Sequence, residues 1–314
     1  MIAYVVRRLL GAVPLLLLIS FAVFSLTFLI PGDPAQQILG PNASAAAVDH
    51  LRHQLGLDQP LLVQYWRWLT NALHGNLGHS ILKNTSVSGE IARRFPVTFS
   101  IAIGALALTA VVGIPLGVLA ATRPGSVADR TVTIGTSLML AVPDFWLAIL
   151  FVLLFSVKLK VLPAIGFVPF SQSPVQWATH LCLPWVAAGL GGAATLARQL
   201  RGSLADSLDQ DYIRTAEAKG VRESLVVLKH ALKNASIAPV TVVGIMFAYT
   251  LGGTVILEYI FSIPGLGQYF YQALSGKDVP VIQGVTLVVA LTFVLVNLAV
   301  DILYAYLNPK VRLA

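Results

Sequence analysis

Six runs of apolar residues, 9–30, 97–121, 131–156, 181–197, 237–257 and 284–307, dominate this chain. Each reaches at least the roughly 17 residues a helix needs to cross hydrocarbon. A lipid-embedded segment has no water to satisfy its backbone N–H and C=O groups, so it must hydrogen-bond to itself. Only 11% of the 314 residues are charged, against about a quarter in a soluble domain. The chain is therefore expected to be an all-α polytopic membrane protein with six transmembrane helices. Arg7 and Arg8 precede the first run. That run is too long for a signal-peptide core and no small-x-small cleavage site follows it, so it reads as a retained span.

The formal net charge of +7 does not suggest nucleic acid, because the basic residues sit at the ends of the apolar runs. Six spans place both termini on one side. Thirteen of the 21 Lys and Arg residues fall on that side, and five of the other eight lie in residues 31–95. A connection that long is little constrained by the positive-inside rule, so the count predicts cytoplasmic termini. The expected division is a first span (1–30), an external segment (31–95) and a core (96–314) containing a cytoplasmic loop at 206–235. In the external segment, 45–55 reads as a helix closed by Gly56 and 61–73 as a helix carrying Tyr65, Trp66 and Trp68. His50, His53, His74 and His79 would make a metal site only if three ligands converged. Cys182 is the single cysteine, so no internal disulfide is possible, and it is expected as a core thiol.

The stretch 211–239 is the longest charged segment between apolar runs in the C-terminal half. Gly220 divides it, and a glycine can end one helix and turn sharply into the next. Leu225, Leu228, Leu232 and Ala235 fall on one apolar stripe, while Tyr212, Thr215, Ala216 and Lys219 share a face of small and polar residues. The segment reads as a helix–turn–helix lying on the membrane surface. It either fixes topology alone or offers a surface to a soluble partner.

The run Tyr212-Ile213-Arg214-Thr215-Ala216-Glu217-Ala218-Lys219-Gly220, with His230-Ala231-Leu232-Lys233-Asn234-Ala235 after it, resembles the coupling loop of ABC importer permeases. It is most similar to the first permease of the dipeptide/oligopeptide/nickel group. Arg214-Thr215-Ala216 stand where the broad family has Glu-Ala-Ala, and Leu232-Lys233 where it has Leu-Pro; both departures favour the peptide/nickel group. The resemblance extends to Pro31-Gly32-Asp33-Pro34, Gly75-Asn76-Leu77-Gly78, Pro264-Gly265-Leu266-Gly267 and Asn308-Pro309-Lys310. Asn76 departs from the usual Asp there.

The resemblance implies a type I ABC importer fold in a bacterial plasma membrane. It implies a homologous second permease, two ABC ATPase subunits and an external substrate-binding protein as partners, besides membrane lipid. Contact with the ATPase falls to Tyr212, Arg214, Thr215, Ala216, Glu217, Ala218, Lys219, Gly220, Val221, Arg222, Leu232 and Asn234. Contact with the binding protein falls to Asp58, Tyr65, Trp66, Asn76 and Asp278. No G-x-x-x-x-G-K-[ST] loop is present, so ATP and Mg would sit on partner subunits and this chain would be non-catalytic, with no cofactor of its own. Di- or oligopeptides are the expected cargo, with nickel or glutathione as alternatives.

Polar groups within spans are functional candidates by default. Asp144 and Phe145 follow Pro143 inside the third run. Glu258, Phe261, Pro264 and Gly265 close the fifth. Asn297 and Asp301 form a polar stripe on the sixth with Tyr304 and Asn308. These are the candidates for the translocation path or a gate, although the stripe suits helix packing as well. A self-sufficient ion-coupled transporter would have to build its ion site from Asp144, Glu258 and Asp301. A membrane enzyme would need a nucleophile or metal constellation that the runs do not contain.

Overall fold

The computed structural model describes residues 2–29, 33–40 and 42–307, and it contains no strand among them. Helix α1 (Ile2–Leu29) leads into three short helices, α2 (Pro34–Leu39), α3 (Ala45–Leu55) and α4 (Leu61–Leu73). Two long apolar helices follow, α5 (Val87–Ala121) and α8 (Pro174–Leu208). Between them lie α6 (Val127–Ala141) and α7 (Asp144–Phe151), the latter continuing as a π-helix over Val152–Lys158. The charged segment forms α9 (Asp211–Ala218), α10 (Glu223–Leu225), a π-helical turn (Val226–Ala231) and α11 (Leu232–Ala235). Helices α12 (Ile237–Gly253), α13 (Val255–Ile260), α14 (Leu266–Gly276) and α15 (Val279–Leu307) complete the chain. Below, the proximal end is the one carrying residues 211–235, and the distal end carries residues 33–86.

Helices α5 and α8 run parallel and touch along their length because small residues let their backbones approach. A methyl group on Gly113 would stand 2.8 Å from the Ala193 carbonyl, and one on Gly189 would stand 2.8 Å from that of Ala105. Gly104 accommodates the Trp185 indole, whose Nε1–H donates to the Ser100 carbonyl at 3.0 Å. The Thr109 hydroxyl donates to the Gly189 carbonyl at 3.1 Å. Lipid tails are as apolar as leucine, so helices in a bilayer associate through such close packing and hydrogen bonds. The remaining helices gather on this pair. At the distal end Val97, Ile101, Leu181 and Ala187 pack with Ala148, Leu257, Phe261 and Ile263. At the proximal end Ala121, Leu200 and Leu204 pack with Ile213, Val226, Val227, Ala231 and Ala235.

Among the described residues four helices are long and apolar enough to cross a membrane, and the total reaches six if each of two bent pairs is one span. The chain is thus all-α and multi-pass, as its apolar runs predict, but three runs differ in detail. The second begins at Val87 rather than residue 97 and continues unbroken through Gly113-Ile114-Pro115. Gly113 is a packing site against α8, and a proline inside a membrane helix is tolerated where neighbours satisfy the freed groups. The third is two helices, 127–141 and 144–158, meeting at 94°. Val142 there is extended (φ −99°, ψ 124°), the conformation a residue before proline prefers. The fifth breaks at Thr254, between α12 and α13. Cys182 is only partly buried.

In the distal segment Gly56 closes α3 in a left-handed conformation (φ 69°) and its N–H reaches back to Arg52 and His53. Tyr65 and Trp68 of α4 pack on Phe24 of α1, and the Tyr65 hydroxyl pairs with Ser20 at 2.8 Å. The segment is therefore fastened to the first span.

Replacing Gly113 by valine should force α5 and α8 apart and cost about 1–3 kcal/mol, the usual price of overpacking. Gly135→Ala, with no neighbour within 4 Å of the added carbon, should leave thermal unfolding in detergent unchanged. Equal melting temperatures for the two variants would contradict the packing described.

Candidate functional site

The proximal surface is built from the helix–turn–helix. Gly220 adopts φ 75°. The Gly220 N–H donates to Glu217 at 2.8 Å and the Val221 N–H to Ala216 at 3.3 Å, closing α9 before the chain turns. Ile213, 1% exposed, anchors α9 to α8 and to the π-helical turn. The Tyr212 hydroxyl shares a hydrogen bond with Ser207 of α8 at 2.8 Å and accepts from Asn234 Nδ2 of α11 at 3.2 Å. Both arms are thereby tied to the end of α8.

The apolar stripe of the second arm is not the one its spacing suggests. Leu225 and Leu228 are 49% and 62% exposed, while Val226, Val227, Ala231 and Ala235 are buried. The buried residues Val227, Ala231 and Ala235 recur every four positions, so the arm turns this neighbouring stripe inwards, and its middle runs as a π-helical turn. Two leucines are left facing outwards, and Glu217, Lys219, Arg222 and Glu223 of the same segment are exposed as well. Arg214, Thr215 and Ala218 are exposed too, whereas Ala216, Val221 and Leu232 pack partly on the proximal core.

A half-buried bridge, its carboxylate buried and its guanidinium partly exposed, supports this end from the α5–α6 turn. Arg201 of α8 grips Asp129 with both nitrogens at 2.5 and 2.8 Å, and the Gly125 N–H donates to the same carboxylate at 3.0 Å. Nothing in the local pattern of either residue announces this pair.

At the distal end Glu258 is 0% exposed. Its carboxylate accepts from Thr98 at 2.7 Å, Thr254 at 3.1 Å and the Gln268 N–H at 2.9 Å. The Thr98 oxygen in turn accepts the Leu266 N–H at 2.8 Å. Gly265 lies against the carboxylate so closely that no side chain would fit there. The Pro264–Gly267 turn thus folds around one acid and is pinned by α5. Phe261 is a core residue, 1% exposed, and Pro264 is exposed.

Asp278, 2% exposed, is turned inwards: its carboxylate accepts from Ser80 at 2.5 Å and the Ile81 N–H at 3.1 Å, tying the distal loop to the start of α15. Tyr65 is occupied by α1, and Asn76 accepts the Gly78 N–H at 3.0 Å. Asp58 pairs with His53 at 2.9 Å, and that bond holds its carboxyl below the usual carboxylate range. Trp66 is free on the surface, 64% exposed. On α15, Asp301 pairs with Arg8 of α1 at 3.0 Å and Asn297 donates to the Phe293 carbonyl at 2.9 Å. The side chain of Tyr304, and all of Asn308, lie outside what is described, as do Pro31, Gly32 and residues 309–314. Asp144 begins α7 and, with Tyr249, Thr250, Gly253 and Thr254, lines a cavity of about 130 Å³. Phe145 beside it is exposed. No three His, Cys, Asp or Glu side chains converge on a metal-sized site among the described residues.

Residues 113–313 match the family described as the binding-protein-dependent transport system inner membrane component, and residues 1–102 match its N-terminal companion. The chain belongs to this family. A putative peptide transport system permease protein of Brucella suis is 45% identical to this permease over 312 residues, 99% of both chains. The glutathione transport system permease protein GsiC of Escherichia coli K12 is 42% identical over 313 residues, again 99% of both. A chain of the MetNI methionine ABC transporter, solved in an inward-facing conformation, superposes with a TM-score of 0.57 at 22% identity. The match covers 69% of this permease and 96% of that chain. The fold is the type I ABC importer fold.

Thr98→Val should strand the Leu266 N–H and remove one donor from Glu258, costing about 1–3 kcal/mol. Thr98→Ser should restore most of the melting temperature in detergent. Failure of serine to rescue would mean that the methyl group, not the hydroxyl, holds the turn.

Proposed function

We propose that this permease is the first of two homologous membrane subunits of an ATP-driven importer, and that it carries di- or oligopeptides handed over by an external binding protein. The relatives named for peptide and glutathione transport, alike over their full length, support that cargo. The single observation that carries the coupling role is the outward pair Leu225 and Leu228 among exposed charges at the proximal end. Clustered exposed apolar side chains rimmed by charge mark a protein-binding surface. The occupant is an ABC ATPase, which supplies the nucleotide and Mg sites this chain lacks. The proximal end and both termini then face the cytoplasm, and the distal segment faces outwards, where Trp66 and Asp58 stand available to the binding protein.

Movement of the docked segment passes into the α5–α8 pair through Ile213, Val226 and Ala231, which pack on Ala121, Leu200 and Leu204. Closure of the ATPase pair thereby shifts the spans as rigid bodies, and access to the path alternates across the bilayer. An ion-coupled transporter fits the geometry less well. Asp301 is paired with Arg8 at the proximal end, Glu258 is saturated by hydrogen bonds at the distal end, and Asp144 lies on a different cavity. The three acids build no common ion site.

Leu225→Asp and Leu228→Asp each replace an exposed side chain, so folding should change by no more than about 0.5 kcal/mol. Each should lower the ATPase activity that co-purifies in mild detergent by roughly tenfold or more, equivalent to about 1.4 kcal/mol at the interface, and abolish ATP-dependent dipeptide uptake. Variants that keep full ATPase association and coupled uptake would sink the coupling assignment.

A further inference from the structure

The cavity at the break of the third span presents hydrogen-bond acceptors from α7, from α12 and from Thr254 after it. Asp144 supplies a carboxylate for which no hydrogen bond or ion pair is present among the described residues. That carboxylate lies against α8, where a methyl group on Gly191 would be 3.5 Å from its Oδ1. The Thr250 hydroxyl donates its proton to the Met246 carbonyl at 2.8 Å, and the Thr254 hydroxyl donates to Glu258 at 3.1 Å. Both hydroxyls are therefore left with lone pairs to offer. Tyr249, set edge-on against Phe293, adds an aromatic ring, and ring faces attract cations. Gly252 and Gly253 leave the approach open, with no neighbour near where a side chain would begin.

An unpaired carboxylate within a span is costly and calls for a cation. A carboxylate, two accepting hydroxyls and an aromatic ring match the three N–H donors of a primary ammonium group. They do not match a transition metal, since no His or Cys lines the cavity and metal sites of that kind use nitrogen or sulfur ligands. The cavity, about 130 Å³, has room for an ammonium group and the carbons attached to it. The site also lies toward the distal ends of α6 and α12, which run 15 and 17 residues from the proximal side. At about 1.5 Å per residue that is roughly 22–25 Å, near the far side of a hydrocarbon layer of about 30 Å.

We infer that Asp144, with Tyr249, Thr250 and Thr254, forms a subsite for the α-ammonium end of a transported peptide on its first contact with the membrane path. The inference rests on the importer reading for its cargo. Nickel would find no suitable ligands here, whereas glutathione, which carries an α-ammonium group, would fit as well as a dipeptide.

The test uses the assembled transporter in mild detergent, treated with a water-soluble carbodiimide and increasing glycinamide. The carbodiimide activates a carboxyl group, and an amine held beside it forms an amide that mass spectrometry locates. The expected result is saturable amide formation at Asp144, suppressed by dialanine and not by N-acetyl-dialanine, while exposed Asp49 is labelled without saturation. Thr250→Val should raise the half-saturating glycinamide concentration roughly tenfold, as loss of a hydrogen bond to a charged group does. Labelling of Asp144 that does not saturate, or equal protection by N-acetyl-dialanine, would overturn the subsite. Saturable labelling that dialanine fails to suppress would leave the cation subsite standing and count against peptides as the cargo.

Discussion

The structure depends on the parallel contact between α5 and α8. In a bilayer there is no hydrophobic gain from pressing two apolar helices together, so something else must hold them. Here glycines at 104, 113, 117, 189 and 192 bring the two backbones close, and Thr109 and Trp185 add hydrogen bonds across the seam. The pair is long enough to take part in the core at both ends of the molecule. Its distal third is packed by α7 and α13, its proximal third by the charged helix–turn–helix. Every proposed function of this permease uses one of those two ends.

The polar groups follow a division of labour that burial makes visible. Glu258, Asp278 and Asp129 are buried and receive two or more hydrogen bonds each. Such groups would be destabilising if left unmet, and what they do is hold turns: the α13–α14 turn, the distal loop and the α5–α6 turn. Asp301 is balanced by Arg8. Asp144 is different in kind, because it opens on a cavity and its other cavity neighbours contribute acceptors. The contrast separates an acid that shapes the path from one that can meet what passes along it.

Much of the fold was legible because membrane helices announce themselves by length and apolarity. The distal helices at 45–55 and 61–73 were legible too, the first from Gly56 at its end, and the turn at Gly220 from the freedom of glycine. What escaped had non-local causes. Thr98 reads as one polar residue in an apolar run, yet its partners Glu258 and Leu266 lie 160 and 168 residues away. Leu225 and Leu228 fit an α-helical stripe on paper but point outwards, because the neighbouring stripe of Val227, Ala231 and Ala235 is the one that packs on α8. The break at Val142-Pro143 carried a local signal, but not the 94° angle that turns a kinked span into two distinct helices. Asp278 showed its charge in the sequence and concealed its burial.

On the proposed reading, coupling over the length of the bilayer requires an element that does not bend. The α5–α8 seam supplies stiffness where glycine contacts lock it, and the helix breaks at Val142-Pro143 and Thr254 lie next to it. Those breaks flank the Asp144 cavity on two sides, through the start of α7 and the end of α12. Helix α12 also follows α11, across a bend of 60°, and α11 is packed on the proximal core. A shift of the docked segment would therefore reach the cavity by two routes, along the rigid pair and along α12, and the two need not move it equally. A difference between them would open or close the space in front of Asp144. A small rearrangement at one end can thus change a binding site at the other without any helix unfolding, which is the physical requirement for a transporter driven by a motor on a separate chain.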